Sequence, residues 1–133
     1  SRLYSITSYS ELEKDARSVK RKNMLDPTNK KESYIENLID NNDAIIATSD
    51  YVRAYSQLIS SYLKNKFTPL GTDGFGRSDT RKNLRDFFEV DSPHIVLSTL
   101  YSLFEEGEIP IDMVQKAIKK YNFQTNRDDP WNL

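Results

Sequence analysis

The 133-residue sequence contains no cysteine, only one histidine, His94, and only four glycines. Without cysteine the chain has no disulfide, no thiolate nucleophile and no cysteine-ligated metal. A single histidine also excludes most metal sites built on histidine ligands. No apolar run approaches the roughly 20 residues that a membrane span needs, and no signal-peptide pattern is visible. We therefore expect a soluble, cytoplasmic protein without a membrane partner.

The chain also has no large excess of charge of either sign. The 19 basic and 20 acidic residues give a net charge of -1, so no strong field is available to concentrate a polyanion, and nucleic acid is not expected as a partner. The length suits one domain, which should bury roughly two-thirds of its unfolded surface. We predict a single domain over residues 1–133, with a core at about 3–121 and a polar tail at 122–133.

Apolar residues alternate between strand-like and helix-like segments along the chain. The predicted strands are Leu3–Thr7, Ala44–Thr48 and Phe67–Leu70. The predicted helices are Ser10–Met24, Tyr34–Ile39, one capped by Asp50 that runs to about Tyr62, one from Asp79 to Phe88, and two that open at Ser92 and at about Ile109, the first of them closed by Gly107. This order is typical of an α/β domain with a mostly parallel sheet.

A glycine-rich loop follows the third predicted strand and contains three of the four glycines. Its spacing matches neither the dinucleotide fingerprint nor the P-loop, and its two aspartates would repel an anion. We favour a structural loop over a phosphate site, because glycine permits positive φ and close backbone approach. Phe75 would then pack into a neighbouring surface. The candidate domain-interface residues are Gly71, Asp73, Gly74, Phe75, Gly76, Arg77 and Asp79.

A basic stripe follows from the four-residue spacing of Arg77, Arg81 and Arg85. If the helix begins early enough, the three side chains share one face. They would then bind a carboxylate-bearing partner surface. The alternative, slightly favoured on sequence alone, is a solvated face partly neutralised by nearby carboxylates such as Asp86.

The residues alone do not indicate a catalytic reaction. His94 lies in the first turn of a predicted helix and has no evident nucleophile or carboxylate partner at a readable spacing. Three tyrosines, Tyr51, Tyr55 and Tyr62, fit a packed helix face better than a stacking platform for bases. We therefore assign no catalytic, cofactor-binding or metal-ligating residue to this chain.

Four segments carry a resemblance to a known family. Residues 70–91, LGTDGFGRSDTRKNLRDFFEVD, closely resemble the C-terminal domain of the homodimeric, bacterial-type pyruvate dehydrogenase component that decarboxylates pyruvate. Residues 4–12, 23–27 and 47–53 are similar to further segments of that family in the same order, with Asp26 where the family has histidine. The resemblance covers essentially the whole chain.

The resemblance implies a thiamine-diphosphate enzyme of the transketolase type, in which upstream domains hold the thiamine diphosphate and Mg²⁺. It implies no catalytic residue and no cofactor ligand in this chain, whose Rossmann-like, three-layer domain would support the dimer. The family reaction is decarboxylation of pyruvate followed by reductive acetylation of a lipoyl group. The implied partners are the upstream domains, a second subunit of a homodimer and the dihydrolipoyl acyltransferase component.

The family domain begins with one more strand and helix before the segment similar to Leu3–Thr7. We therefore expect a domain that lacks its first strand and helix, with a sheet edge left bare or covered by another chain. Residues 126–133 resemble the family's C-terminal tail. Two alternatives remain open: a module that binds the acyltransferase or an anionic effector through the glycine loop and basic stripe, and the same domain of a related 2-oxo acid dehydrogenase.

Overall fold

Helices and strands alternate in the computed structural model, which describes residues 1–73 and 79–132. The elements are α1 (Tyr9–Leu25), α2 (Tyr34–Leu38), β1 (Ile45–Thr48), α3 (Arg53–Gln57), β2 (Phe67–Leu70), α4 (Arg81–Phe87), α5 (Ser92–Glu105) and α6 (Ile111–Lys120), with short 3-10 turns at Ser60–Tyr62 and Pro130–Asn132. The α/β class predicted from the sequence is confirmed.

The two strands form a parallel pair. Their register runs from Ile45 opposite Phe67 to Thr48 opposite Leu70, and α3 with the following 3-10 turn makes the crossover between them. A parallel pair needs such a crossover, because the chain must return to the same end of the sheet. Pro69 is tolerated in β2 because, among the described residues, each strand has only one strand neighbour.

Helices cover both faces of the pair, since successive side chains of a strand point to opposite sides. Phe67 packs against the buried cluster of Tyr9, Ile35 and Ile59, which α1, α2 and the crossover segment build. The next residue, Thr68, places its hydroxyl 3.3 Å from that of Ser102 on α5. Helix α6 packs against α5. This arrangement has the three layers expected for the domain.

Side-chain caps fix where α1 and α2 begin. The hydroxyl of Ser8 accepts the Glu11 N–H at 3.2 Å, and α1 ends just before Pro27. At α2 the carboxylate of Glu36 accepts both the backbone N–H of Ser33, at 2.8 Å, and its hydroxyl, at 2.6 Å. This capping box satisfies donors that an open helix end would leave unpaired.

The predicted strand over Leu3–Thr7 is wrong, because residues 1–8 form neither strand nor helix. Leu3 is 99% exposed, and the Tyr4 hydroxyl donates to the Leu38 carbonyl at 3.4 Å. A strand exists only where a neighbour completes its hydrogen-bond ladder. Within the described residues β1 and β2 pair only with each other, so the β-prone composition of this segment finds no partner there.

The predicted helix after Asp50 begins later and ends earlier than expected. Helix α3 starts at Arg53 and ends at Gln57, and Val52 rather than Asp50 occupies its N-cap position. The backbone carbonyl of Asp50 instead accepts the Thr72 hydroxyl at 2.6 Å. Asp50 is therefore held by a tertiary contact from the segment after β2, and α3 has no side-chain cap.

The start of α4 is displaced by one residue from the prediction. Thr80 is its N-cap, since its hydroxyl accepts the Asn83 N–H at 3.3 Å. Asp79 lies just outside the helix and accepts from the Thr80 N–H at 2.7 Å and from the Asn83 amide at 3.1 Å. The prediction for Gly107 is confirmed: it follows α5 with a φ of 75°, which suits glycine.

The buried cluster provides a direct test of the fold. Ile35 has no exposed surface, so Ile35→Ala should lower the free energy of unfolding by about 2–5 kcal/mol through lost burial and a residual cavity. Met24→Ala is the control, because Met24 is 75% exposed and should change stability by less than about 0.5 kcal/mol. Equal losses in urea unfolding would contradict the placement of Ile35.

Candidate functional site

The segments that leave the carboxyl ends of β1 and β2 lie side by side and are hydrogen-bonded to each other. We call residues 49–53 and 71–73 the strand-exit junction. The Ser49 N–H donates to the Leu70 carbonyl at 3.0 Å, and the Thr72 N–H donates to the Tyr51 carbonyl at 2.9 Å. These bonds extend the contact between the strands beyond their last paired residues. The junction thereby fixes the first three residues of the predicted domain-interface loop.

Gly71 allows the two segments to approach this closely. A Cβ atom at this position would lie 2.5 Å from the Tyr51 carbonyl oxygen and 2.7 Å from the Arg53 nitrogen. Both are backbone atoms, so no side-chain rotation could relieve the overlap. Glycine is therefore needed here for space rather than for an unusual φ.

Asp73 holds the other end of the junction through Arg53. One carboxylate oxygen accepts the Arg53 backbone N–H at 2.9 Å, and the other accepts from Nε of the same residue. The Arg53 guanidinium also lies over the Trp131 ring, 4.7 Å from its centroid. Because the Asp73 side chain is only 25% exposed, these contacts pair a partly desolvated charge and attach the end of the chain to the junction.

Two opposing effects act on the pKa of Asp73. Burial alone would raise it, but the hydrogen bonds from the Arg53 backbone and guanidinium, together with the positive charge of the latter, hold the pKa below its ordinary value of 3.8. The carboxylate is thus ionised and already engaged by Arg53. The aspartate that seemed on sequence to repel an anion in the loop is a structural anchor.

An open cleft lies beside the junction and brings together residues that are distant in sequence. We call it the basic cleft. The residues that line it come from the exit of β1, from α4 and from the start of α5: Thr48, Ser49, Asp50, Arg81, Lys82, Arg85, Val90, Asp91, Ser92 and Ile95. Sequence reasoning identified two of its three cations but neither Lys82 nor the α5 wall, because the placement of α4 across the cleft from the end of β1 leaves no local pattern.

Two of the three arginines of the predicted basic stripe lie in the described part of the chain. Arg81 and Arg85 lie one turn apart on α4 and both line the cleft, as their spacing requires. Arg77 lies outside the described residues, as do Gly74, Phe75 and Gly76. Asp86, one of the carboxylates expected to neutralise the stripe, instead contacts Arg127 at 3.4 Å.

His94 has a carboxylate partner, contrary to the sequence-based expectation. Its Nδ1 contacts Asp91, which also accepts the His94 backbone N–H at 3.2 Å as the N-cap of α5. Asp91 precedes His94 by three residues, and a search for N-caps would have found this pairing. The histidine side chain is 11% exposed and meets the Phe123 ring edge-on at a centroid distance of 4.9 Å.

One further carboxylate lies near this pair. Ligand-type atoms of Asp86, Asp91 and His94 all lie within 4.8 Å of one another. However, Asp86 faces the Arg127 guanidinium, which would repel a cation, and Asp91 already caps α5. The two carboxylates therefore serve structural contacts: Asp91 caps α5, and Asp86 of α4 pairs with Arg127.

Gly71 and Gly107 allow a matched test of the junction. Gly71→Ala should cost about 1–3 kcal/mol of unfolding free energy, because the added methyl group forces backbone atoms apart. Gly107→Ala meets no atom within 4 Å and should cost only about 1–2 kcal/mol, from its positive φ. Gly71→Ala alone should also accelerate amide exchange at Thr72. Unchanged exchange at Thr72 would contradict the close approach.

The Asp73 contacts predict a dependence on pH. A carboxylate with a lowered folded pKa stabilises the fold above its ordinary pKa, and the effect disappears as pH falls through the folded value. Asp73→Asn should therefore lower stability at pH 6 by roughly 1.5–3 kcal/mol, and this difference should shrink below pH 3.8. Urea unfolding between pH 3 and 6 measures it, with Glu108→Gln as the exposed control. A difference that does not vary with pH would contradict the ionic role.

Comparison with known proteins agrees with the resemblance drawn from residues 70–91. Residues 1–91 match the family described as transketolase-like TK C-terminal domain. Over 133 residues the chain is 42% identical to the pyruvate dehydrogenase E1 component of Cupriavidus necator, covering 98% of this chain and 15% of that protein. It is 40% identical over 131 residues to that of Pseudomonas aeruginosa and 38% identical over 130 residues to that of Escherichia coli K12, covering 96% of this chain in each case and 15% and 14% of those proteins.

The chain thus spans about 15% of the length of the relatives it matches. No helix in the described part of the chain is both long and apolar enough to cross a membrane. The family match covers more than two-thirds of the sequence, and the parallel βαβ arrangement of the structure is consistent with it. This chain belongs to the family of transketolase-like C-terminal domains.

Proposed function

We propose that this chain is the C-terminal, non-catalytic domain of a pyruvate dehydrogenase E1 component. The whole enzyme would decarboxylate pyruvate and reductively acetylate lipoyl groups of a dihydrolipoyl acyltransferase, in the cytoplasm of a bacterium. One observation carries the proposal: proteins of that name match 96–98% of this chain but only 14–15% of their own length. The chain therefore corresponds to one domain of a much larger polypeptide.

Thiamine diphosphate and Mg²⁺ would be held by the upstream domains of that polypeptide. Neither Asp73 nor Asp91 offers a free carboxylate to a magnesium diphosphate, which needs oxygen ligands that are available. Asp73 is engaged by Arg53, and Asp91 is engaged by the N–H and ring of His94. Thiamine chemistry is accordingly assigned to the rest of the enzyme.

The proposed role of this domain is to support the homodimer and the packing of the cofactor-binding domains. The strand-exit junction supports this role, because it holds Gly71, Thr72 and Asp73 firmly against the exit of β1. We propose that the loop from Gly71 to Asp79 packs toward the cofactor-binding domains from this fixed base.

A chimera tests the proposal. The segment of the Cupriavidus necator protein that matches this chain should be replaceable by residues 1–133 with retention of a dimer that turns over pyruvate. The isolated chain, supplied with pyruvate, thiamine diphosphate and Mg²⁺, should release no CO₂. A folded, dimeric chimera without turnover would contradict the assignment, and turnover by the isolated chain would contradict its non-catalytic role.

Variants of the active chimera test the loop separately. Phe75→Ala and Arg77→Ala should weaken the dimer or lower turnover, whereas Lys116→Ala, on the exposed side of α6, should change neither. Dimer dissociation by analytical ultracentrifugation and turnover with pyruvate are the two measurements. If both loop variants match the unmodified chimera in both measurements, the packing role of the loop is wrong.

A further inference from the structure

We propose that the basic cleft is a binding site for the phosphate group of a small phosphoester. This site goes beyond the proposed scaffolding role and takes no part in the decarboxylation. Its position is the first argument. The residues Thr48, Ser49 and Asp50 at the exit of β1 form one side of the cleft. In α/β proteins with parallel strands, crevices beyond the carboxyl ends of the strands are the usual ligand sites.

The cations of α4 form the second argument. Arg81 and Arg85 lie on one face of the helix, and Lys82 lies beside them on the same cleft. Among the described residues of this region, Asp86 and Arg127 form an ion pair, in which neither Arg81 nor Arg85 takes part. Two guanidinium groups one turn apart can donate in pairs to the oxygens of a phosphate, a geometry that favours arginine over lysine at anion sites.

Neutral donors complete the cleft on its other sides. Ser92 is the first residue of α5, a helix of 14 residues, so its N–H has no acceptor within the helix and lies at the positive end of the helix dipole. The Ser49 hydroxyl oxygen accepts the Tyr51 N–H at 3.0 Å, which leaves its own proton to donate. The cleft thus combines charged and uncharged donors from three separate elements.

The charges in the cleft favour an anion, because the cations outnumber the carboxylates. Three cations, Arg81, Lys82 and Arg85, face two carboxylates, Asp50 and Asp91. The Asp91 carboxylate is hydrogen-bonded by the N–H and ring of His94, whereas Asp50 is exposed and opposes an anion without such a contact among the described residues. Because the cations lie in a concave site between a strand end and a helix start, they suit a small phosphate group better than the surface of an acidic protein.

Inorganic phosphate is the probe for the first experiment. Titration of the ¹⁵N-labelled chain at constant ionic strength should give saturable amide shifts at Ser49 and Ser92 and at the α4 residues that line the cleft. Arg81→Gln/Arg85→Gln should weaken phosphate binding at least tenfold, on the order expected for two charge-assisted contacts. Lys116→Gln/Lys119→Gln removes the same charge from exposed positions on α6 and should leave the affinity unchanged.

A variant that is expected to strengthen phosphate binding separates the effect of charge from any loss of stability. Asp50→Asn removes the opposing carboxylate and should strengthen phosphate binding several-fold, a gain that misfolding could not produce. Three results would overturn the proposal: no saturable shifts in the unmodified chain, equal weakening in the two double variants, or binding by the acyltransferase alone at these residues. The last result would make the cleft a protein interface.

Discussion

The backbone of Gly71 passes so close to Tyr51 and Arg53 that one added methyl group would lie 2.5 Å from a carbonyl oxygen. This approach lets the Thr72 amide and hydroxyl bond the Tyr51 and Asp50 carbonyls. It also brings Asp73 within reach of Arg53. The other features of the site adjoin this contact, which extends the pairing of β1 and β2 beyond Leu70.

The βαβ unit explains why so short a sheet can position a binding surface. Strands of four residues give few ladder bonds, so burial must supply most of the stability. The cluster around Ile35 covers one face of the sheet, and α5 covers the other. With both faces covered, the carboxyl ends of the strands are where loops and cations meet, and the basic cleft and the strand-exit junction adjoin there.

Local patterns predicted local structure well. Helix α1, both observed strands and the Gly107 end of α5 follow from spacing, caps and glycine chemistry that operate within a few residues. The segment Leu3–Thr7 was predicted wrongly, because a strand depends on a neighbour elsewhere in the chain. The same limit applies to the site: the i,i+4 spacing of Arg81 and Arg85 can be read from the sequence, whereas the placement of α4 across the cleft from the exit of β1 is set by tertiary structure. Asp73 was interpreted as a barrier to anions because its pairing with Arg53, 20 residues earlier, leaves no local signal.

Native-state hydrogen exchange at the amides of Thr72 and Arg53 tests the central claim most directly. Both N–H groups have acceptors within the strand-exit junction, at 2.9 Å in each case. If this junction holds the domain together, both amides should exchange as slowly as that of Ile39, which is bonded to the buried Ile35. Exchange at Thr72 and Arg53 at the rate of exposed loop amides, while Ile39 remains protected, would contradict the account.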